Sequence, residues 1–169
     1  LIVGRNSEVL QHVHDLIEGR FDHTCLYLWG IGGAGKSHIL RSLAVSDRAR
    51  YLTACDFDHE VELDEYRWFL VDDVEIFSRV QQTHLFHLFN AVRADKAQDE
   101  QARRHMVVTA NCSPAHLPSD FLPDLRTRLS WDLVYELHAL TDEEKAQVLF
   151  EQAEQRGLTL GHGVIDYML

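Results

Sequence analysis

Apolar residues recur along this chain in two rhythms. Short, nearly continuous apolar runs occur at "TCLYLW" (Thr24–Trp29), "ARYLTAC" (Ala49–Cys55), "YRWFLV" (Tyr66–Val71), "HMVVTA" (His105–Ala110) and "DLVYEL" (Asp132–Leu137). Each predicts a buried β-strand. Between them the spacing turns helical. Val9, Leu10, Val13, Leu16 and Ile17 share one face of a helix that Asn6 or Ser7 would cap and Gly19 would close. A second helix is expected from about Gly35 to Val45, and a third in "THLFHLFNAV", where Leu85, Phe86, Leu88 and Phe89 form the apolar face. "RADKAQDEQARR" reads as a charged loop. Strands alternating with helices predict parallel βαβ units and a sheet covered on both faces. From Thr141 the rhythm is helical only. Thr141 and Glu144 have the spacing of a capping box, a helix is expected to run to Arg156 and stop at Gly157, and "LGHGVIDYML" opens another. The pattern therefore predicts an α/β base over residues 1–140, with a five-stranded parallel sheet between helical layers, and the beginning of a small helical subdomain over 141–169.

Composition narrows the partners. A chain of 169 residues suits one domain with a small appendage, and 46% hydrophobic residues suffice for its core. The formal net charge of −11 argues against a sequence-independent grip on a nucleic-acid backbone, so little direct DNA binding is expected. Cys25, Cys55 and Cys112 are far apart and form no CxxC, which fits a reducing, cytoplasmic setting. His84 and His87 could share a helix face, but no carboxylate or Cys spacing completes a metal site around them. No apolar run is long enough for a membrane span, and no signal-peptide pattern is present. The chain does not begin with Met and ends in the apolar "VIDYML", so both ends are expected to be incomplete.

The chemistry starts at Gly30-Ile31-Gly32-Gly33-Ala34-Gly35-Lys36-Ser37, which satisfies GxxxxGK[ST] between a predicted strand and a predicted helix. Glycines at this spacing let backbone N–H groups turn inward onto phosphate oxygens, and the helix N-terminus adds positive dipole. Lys36 would reach the β- and γ-phosphates, and the Ser37 hydroxyl would take a Mg²⁺ position. The same glycines also fit GxGxxG, with Asp56 and Asp58 at the distance where a dinucleotide site wants an acid. That rival leaves Lys36-Ser37 unexplained. It also leaves unexplained "WFLVDD", an apolar strand ending in Asp72-Asp73, as in a Walker B element. Asp72 would hold Mg²⁺ and Asp73 would orient the attacking water; the plain alternative is two acids capping a helix. At the end of "VVTANCSP", Asn111 is placed either to bond a γ-phosphate or as an ordinary turn residue.

"LYLWGIGGAGKSHIL", "LVDDVEIF", "VVTANCSP" and "LPDLRTRLSWDLVYELHALTDEEK", in this order, resemble the DnaA/Hda family of AAA+ ATPases. The likeness covers nearly the whole chain. Within the family it is nearer to the regulatory inactivator Hda than to the initiator DnaA. The resemblance implies the P-loop NTPase (AAA+) three-layer αβα fold followed by the start of a helical lid. It implies ADP or ATP with Mg²⁺ at Gly30 to Ser37 and His38, and Val3 and Gly4 of "IVGRNSEV" in the adenine pocket. Asp72 and Asp73 take the Walker B places, Asn111 takes that of sensor I, and Arg128 that of the arginine finger. The implied partners are the initiator and the DNA polymerase sliding clamp, with homo-oligomers also open. Only thirty-six positions separate Lys36 from Asp72, which leaves no room for the initiator's DNA-contacting helical insertion, and no helix-turn-helix domain follows. The resemblance thus implies a regulator that stimulates hydrolysis of initiator-bound ATP through Arg128 in trans. The alternative is the AAA+ module of an initiator or a helicase-loader-like ATPase.

Readings of other classes remain at this point: a pure adaptor, a ring-forming NTPase, and the dinucleotide enzyme. The intact phosphate loop and acids make weak ATP hydrolysis by this chain an expectation. In "LRTRLSW", Arg126 and Arg128 point roughly 200° apart if the segment is helical. Arg126 then reads as a solvated residue or the partner of an acid. Arg128 reads either as the finger or as an ordinary surface ion pair.

Overall fold

The apolar runs form five strands: β1 (Cys25–Trp29), β2 (Ala49–Leu52), β3 (Trp68–Val71), β4 (His105–Ala110) and β5 (Leu133–Glu136). The computed structural model describes residues 6–63, 65–95 and 103–155. The strands lie in the order β2-β3-β4-β1-β5, and every neighbouring pair is parallel. All six residues of β4 are buried, as expected for an inner strand of a sheet covered on both faces.

Several strands are shorter than their apolar runs, for identifiable reasons. After Leu52 the chain leaves the sheet, because Thr53 and Asp56 close a capping box over a 3-10 turn, Ala54–Asp58. Tyr66 bonds its N–H back to Leu63, so β3 begins two residues later. Asp132 does not extend β5. Its carboxylate accepts from the N–H groups of Thr24 and Cys25, at 3.1 and 2.9 Å, and pins the start of β1.

Two helical layers cover the sheet. On one face lie α1 (Ser7–Ile17) and α2 (Lys36–Leu43), which bury Val9, Val13, Leu16, Leu40 and Leu43. Ile17, expected on the apolar face, is exposed, because the sheet covers only the Val9–Val13–Leu16 stripe. On the other face lie α3 (Arg79–Ala94) and α4 (Pro123–Leu129), whose Leu85, Leu88, Phe89, Leu125 and Leu129 pack with Tyr27, Phe57 and Phe69. α3 is longer than the apolar stretch predicted, because Ser78 and Gln81 form a capping box ahead of it.

Asn6 corrects the capping expectation. Its side chain caps nothing on α1; instead its amide donates to His138 O and accepts from His138 N–H, both at 2.9 Å. The approach to α1 is thereby tied to the chain just past β5. Thr141 and Glu144 form the reciprocal bonds expected of them, and α5 spans Asp142–Gln155. The boundary at Gly157, the following "LGHGVIDYML", and most of the charged loop before β4 lie outside the described residues, as do Val3 and Gly4.

Candidate functional site

Parallel register brings the phosphate loop, the two acids and Asn111 to one edge. Val71 of β3 pairs with Val108 of β4, and Trp29 of β1 pairs with Ala110. The carboxyl ends of three strands therefore lie side by side, the place where open α/β sheets bind ligands.

Gly30 opens the loop with its N–H on Ala110 O. A side chain there would bring its Cβ within 2.3 Å of Leu137 O, so the close pass of the chain after β5 requires glycine. Gly33 and Gly35 adopt φ of 81° and 99°, which turns the peptide units so that α2 can start. Ile31, Gly32 and Gly33 are exposed and Ala34 is buried. Lys36 is only 7% exposed, and its ammonium donates to the carbonyls of Gly30 and Ile31, at 2.7 and 3.2 Å. Among the described residues no carboxylate pairs with it. His38, one residue beyond Ser37, faces solvent.

Asp72 is buried and densely hydrogen-bonded. Tyr51 donates to it at 2.5 Å, and Thr109 donates to its other oxygen. Burial alone would raise its pKa. The bonds from Thr109, Tyr51 and Ser37, with the charge of Arg41, outweigh that and hold the carboxyl below its ordinary value. Thr109 in turn accepts from Asp73 N–H at 3.1 Å, so one hydroxyl fixes both acids. Asp73 has φ of 52°, a conformation an Asp tolerates better than most residues but that still carries strain. Burial and the charge of Asp72 push its pKa up, opposed by Lys36. The two neighbouring acids thus have opposite tendencies, one kept ionised and one made more basic.

Asn111 sits exposed immediately beyond β4. Tyr27 donates to Cys112 O at 2.9 Å and holds the same turn from below. Tyr51, Thr109 and Arg41 are not among the residues the sequence singles out. Tyr51 and Thr109 reach Asp72 through the register of β2, β3 and β4, which are distant in sequence.

The residues present fit a nucleoside phosphate. A buried ammonium without an acid partner, beside glycine N–H groups and a helix N-terminus, matches polyphosphate charge. The Ser37 hydroxyl and the Asp72 carboxylate are adjacent hard-oxygen donors, the set that Mg²⁺ takes. Among the described residues no group of three His, Cys, Asp or Glu could hold a metal ion. His84 and His87 bond Phe57 O and Glu60 instead. The acids of the dinucleotide rival have other partners: Asp56 caps Thr53, and Asp58 accepts from Gln81.

The fold is that of the AAA+ P-loop ATPases. Domain III of the replication initiation protein DnaA from Thermotoga maritima superposes with a TM-score of 0.75 at 22% identity, over 98% of this chain and 76% of that one. AMPPCP-bound DnaA from Aquifex aeolicus gives 0.72 at 23% identity, over 100% of this chain and 58% of that one. In sequence, an uncharacterized protein of Haemophilus influenzae is 28% identical over 158 residues, 85% of this chain and 64% of its own length. The chain thus spans less than two thirds of that relative. No protein-family model matches the chain.

The two arginines of α4 have separate environments. Arg126 donates to the backbone carbonyls of Leu117 and Pro118, at 3.2 and 2.5 Å, so its partner is the preceding loop and not an acid. Pro118 O also accepts from Phe121 N–H at 2.9 Å, so the guanidinium joins a turn that the backbone already closes. Arg128 lies over Phe86 at 4.7 Å and Trp131 at 4.9 Å, with no ion-pair partner among the described residues. Trp131 is 49% exposed and carries Arg93 at 4.8 Å from its ring. The ion-pair reading of Arg128 therefore has no acid to support it.

Proposed function

We propose that this chain is an AAA+ module that binds ADP or ATP with Mg²⁺ and regulates initiation of bacterial DNA replication, presenting Arg128 to ATP held by another molecule. The observation that carries the nucleotide half is Lys36: a buried ammonium with only neutral carbonyls as partners, at the mouth of a glycine loop. Neutral carbonyls leave it without a direct ion pair, and a polyphosphate would supply one. The AMPPCP-bound neighbour supports an adenine nucleotide. Mg²⁺ at Ser37 and Asp72 would neutralise phosphate charge. Asp73, made more basic by its surroundings, would orient a water, and Asn111 would bond the terminal phosphate, so that slow hydrolysis by the chain itself is expected. Val3 and Gly4 would line the adenine side, and His38 the phosphate side.

The regulatory half rests on Arg128 and on the resemblance to the inactivator branch. A guanidinium stacked between two rings keeps its N–H edge free for an anion. An arginine supplied in trans to a transferring phosphoryl group is worth about 10³ to 10⁵ in rate. The initiator and the sliding clamp are the partners proposed, in the cytoplasm. Likeness to initiator domains favours the second reading, a self-contained initiator-type module; that reading requires nucleotide-dependent oligomers without any partner.

The test has two arms. Calorimetric titration should give Mg²⁺-dependent binding of ADP and ATP, none of NAD, and loss in Lys36→Ala. NAD binding in place of ADP would overturn the nucleotide reading. Turnover of initiator-bound ATP should rise with the wild-type chain and not with Arg128→Ala, which should still bind ADP. Equal stimulation by that variant would remove the finger.

A further inference from the structure

Trp131 keeps 49% of its surface exposed just past the end of α4. Its backbone N–H bonds Arg128 O at 3.1 Å, and its indole N–H bonds nothing among the described residues. The ring lies outside the core cluster that Leu125 and Leu129 of the same helix join. Two cations hold it instead. The guanidinium carbon of Arg128 lies 4.9 Å from the ring centre, and that of Arg93, in the last turn of α3, lies 4.8 Å from it. Arg93 is fixed in turn. Its Nη1 is 3.7 Å from Oδ1 of Asp132, whose other oxygen accepts from the N–H groups of Thr24 and Cys25. A line of contacts therefore runs from the start of β1 through Asp132, Arg93 and Trp131 to Arg128.

Folding alone does not account for this arrangement. A half-exposed ring seals little of the core. The Arg93–Asp132 pair is partly exposed and, at 3.7 Å, worth little by itself. Two guanidinium groups on one ring repel each other, a cost that a neutral residue at position 93 would avoid. The two arginines differ in what else they touch. Asp132 offsets the charge of Arg93, whereas the other neighbour of Arg128 is Phe86, at 4.7 Å, a ring packed against the core. An arginine left loose on a helix surface samples many rotamers. Flanked by one ring that the core holds and a second that Arg93 holds, Arg128 keeps its side chain in place while its N–H edge stays available to an anion.

We propose that Trp131 is a positioning residue for Arg128, and that Arg93 acts behind it by fixing the indole. Stacking preorganises the guanidinium for a phosphoryl group on another molecule, so little freedom is lost when the two meet. Neither Trp131 nor Arg93 touches that phosphoryl group. The inference rests on the role in trans given to Arg128 above.

The experiment measures turnover of initiator-bound ATP against the concentration of this chain, for wild type, Arg128→Ala, Trp131→Ala, Trp131→Phe and Arg93→Met. Trp131→Ala should lower the saturating rate by about threefold to tenfold, the size expected when a guanidinium loses one stacking partner and regains rotamer freedom. The half-saturating concentration and ADP binding should not change. Trp131→Phe, which keeps a ring, should recover most of the rate. Arg93→Met still covers the indole but releases it from Asp132, and should fall between wild type and Trp131→Ala. In NMR spectra the Arg128 Nε–H resonance should be ring-current shifted in wild type and move toward the free-arginine position in Trp131→Ala. If Trp131→Ala does not fold, Trp131→Leu takes its place, with the same loss expected. A wild-type rate in the ringless variant, with Arg128→Ala inactive, would overturn the proposal and leave the finger standing. A raised half-saturating concentration at an unchanged saturating rate would make Trp131 a docking contact and would also overturn it. Full stimulation by Arg128→Ala would overturn both readings.

Discussion

At the scale of single residues, the site depends on one hydroxyl. Thr109 donates to Asp72 and accepts from Asp73 N–H, so it fixes the orientation of both acids. Thr109→Val keeps the shape and removes the donor and the acceptor together. The variant should lose about 1.5–3 kcal/mol of stability at neutral pH, the worth of a hydrogen bond to a charged group. The sign of the pH dependence follows from Asp72, whose folded pKa is depressed. Its contribution is present in full above the ordinary carboxylate value of 3.8 and fades as pH falls through the lower folded value. Urea unfolding of the metal-free protein should therefore show wild type and variant far apart at neutral pH and converging in acid. A gap that stays constant to the lowest pH at which the protein folds would mean that Thr109 serves packing and not the carboxylate.

At the scale of elements, the segment after β3 and the helix carrying Arg128 are joined by Gln82 of α3. This buried amide donates to Phe77 O and accepts from Leu122 N–H, both at 2.7 Å. Phe77 closes the turn that holds Glu75, and Leu122 caps α4. Gln82→Leu would leave both backbone groups buried and unpaired. It should cost about 2–4 kcal/mol in chemical denaturation and weaken any function of Arg128 while leaving ADP affinity unchanged. An equal loss of ADP affinity would show that the bridge supports the nucleotide pocket itself. Links of this kind mark the limit of what the sequence discloses. The five strands and the glycine loop are legible because each is written in consecutive residues, as apolar runs or as GxxxxGKS. Tyr51 and Thr109 are not legible, because parallel register decides which residue of one strand stands beside which of another. For Arg126 the sequence suggests a solvated or acid-paired residue, since it gives no sign that two loop carbonyls lie within reach. For Arg128 the reverse holds: spacing on a helix already sent it away from Arg126, and only the rings that flank it needed the fold.

At the scale of the molecule, the site belongs to no single element. It takes its glycine loop from the β1–α2 connection, its acids from the end of β3, and Asn111 from the end of β4. The chain after β5 presses on Gly30, and its His138 backbone bonds Asn6 at the other end of the base. A nucleotide held there would contact several strand ends, so binding should stabilise the whole base and not one loop. For a ligand at about a hundred times its dissociation constant the gain is about 2.7 kcal/mol, which in a domain of this size raises the melting temperature by about 5–10 °C. The net charge of −11 adds a condition. An acidic molecule repels a polyphosphate at long range, so the local ammonium and a divalent cation must together offset that field. Calorimetric melting with ADP should accordingly show the full shift with Mg²⁺, a much smaller one in EDTA, and none with NAD. Lys36→Ala should abolish the shift and leave the nucleotide-free melting temperature nearly unchanged, because the lysine is a buried cation that hydrogen-bonds only carbonyls and makes no direct ion pair. A large fall in that temperature would instead make Lys36 a structural brace of the glycine loop, and the nucleotide reading would lose the observation it stands on.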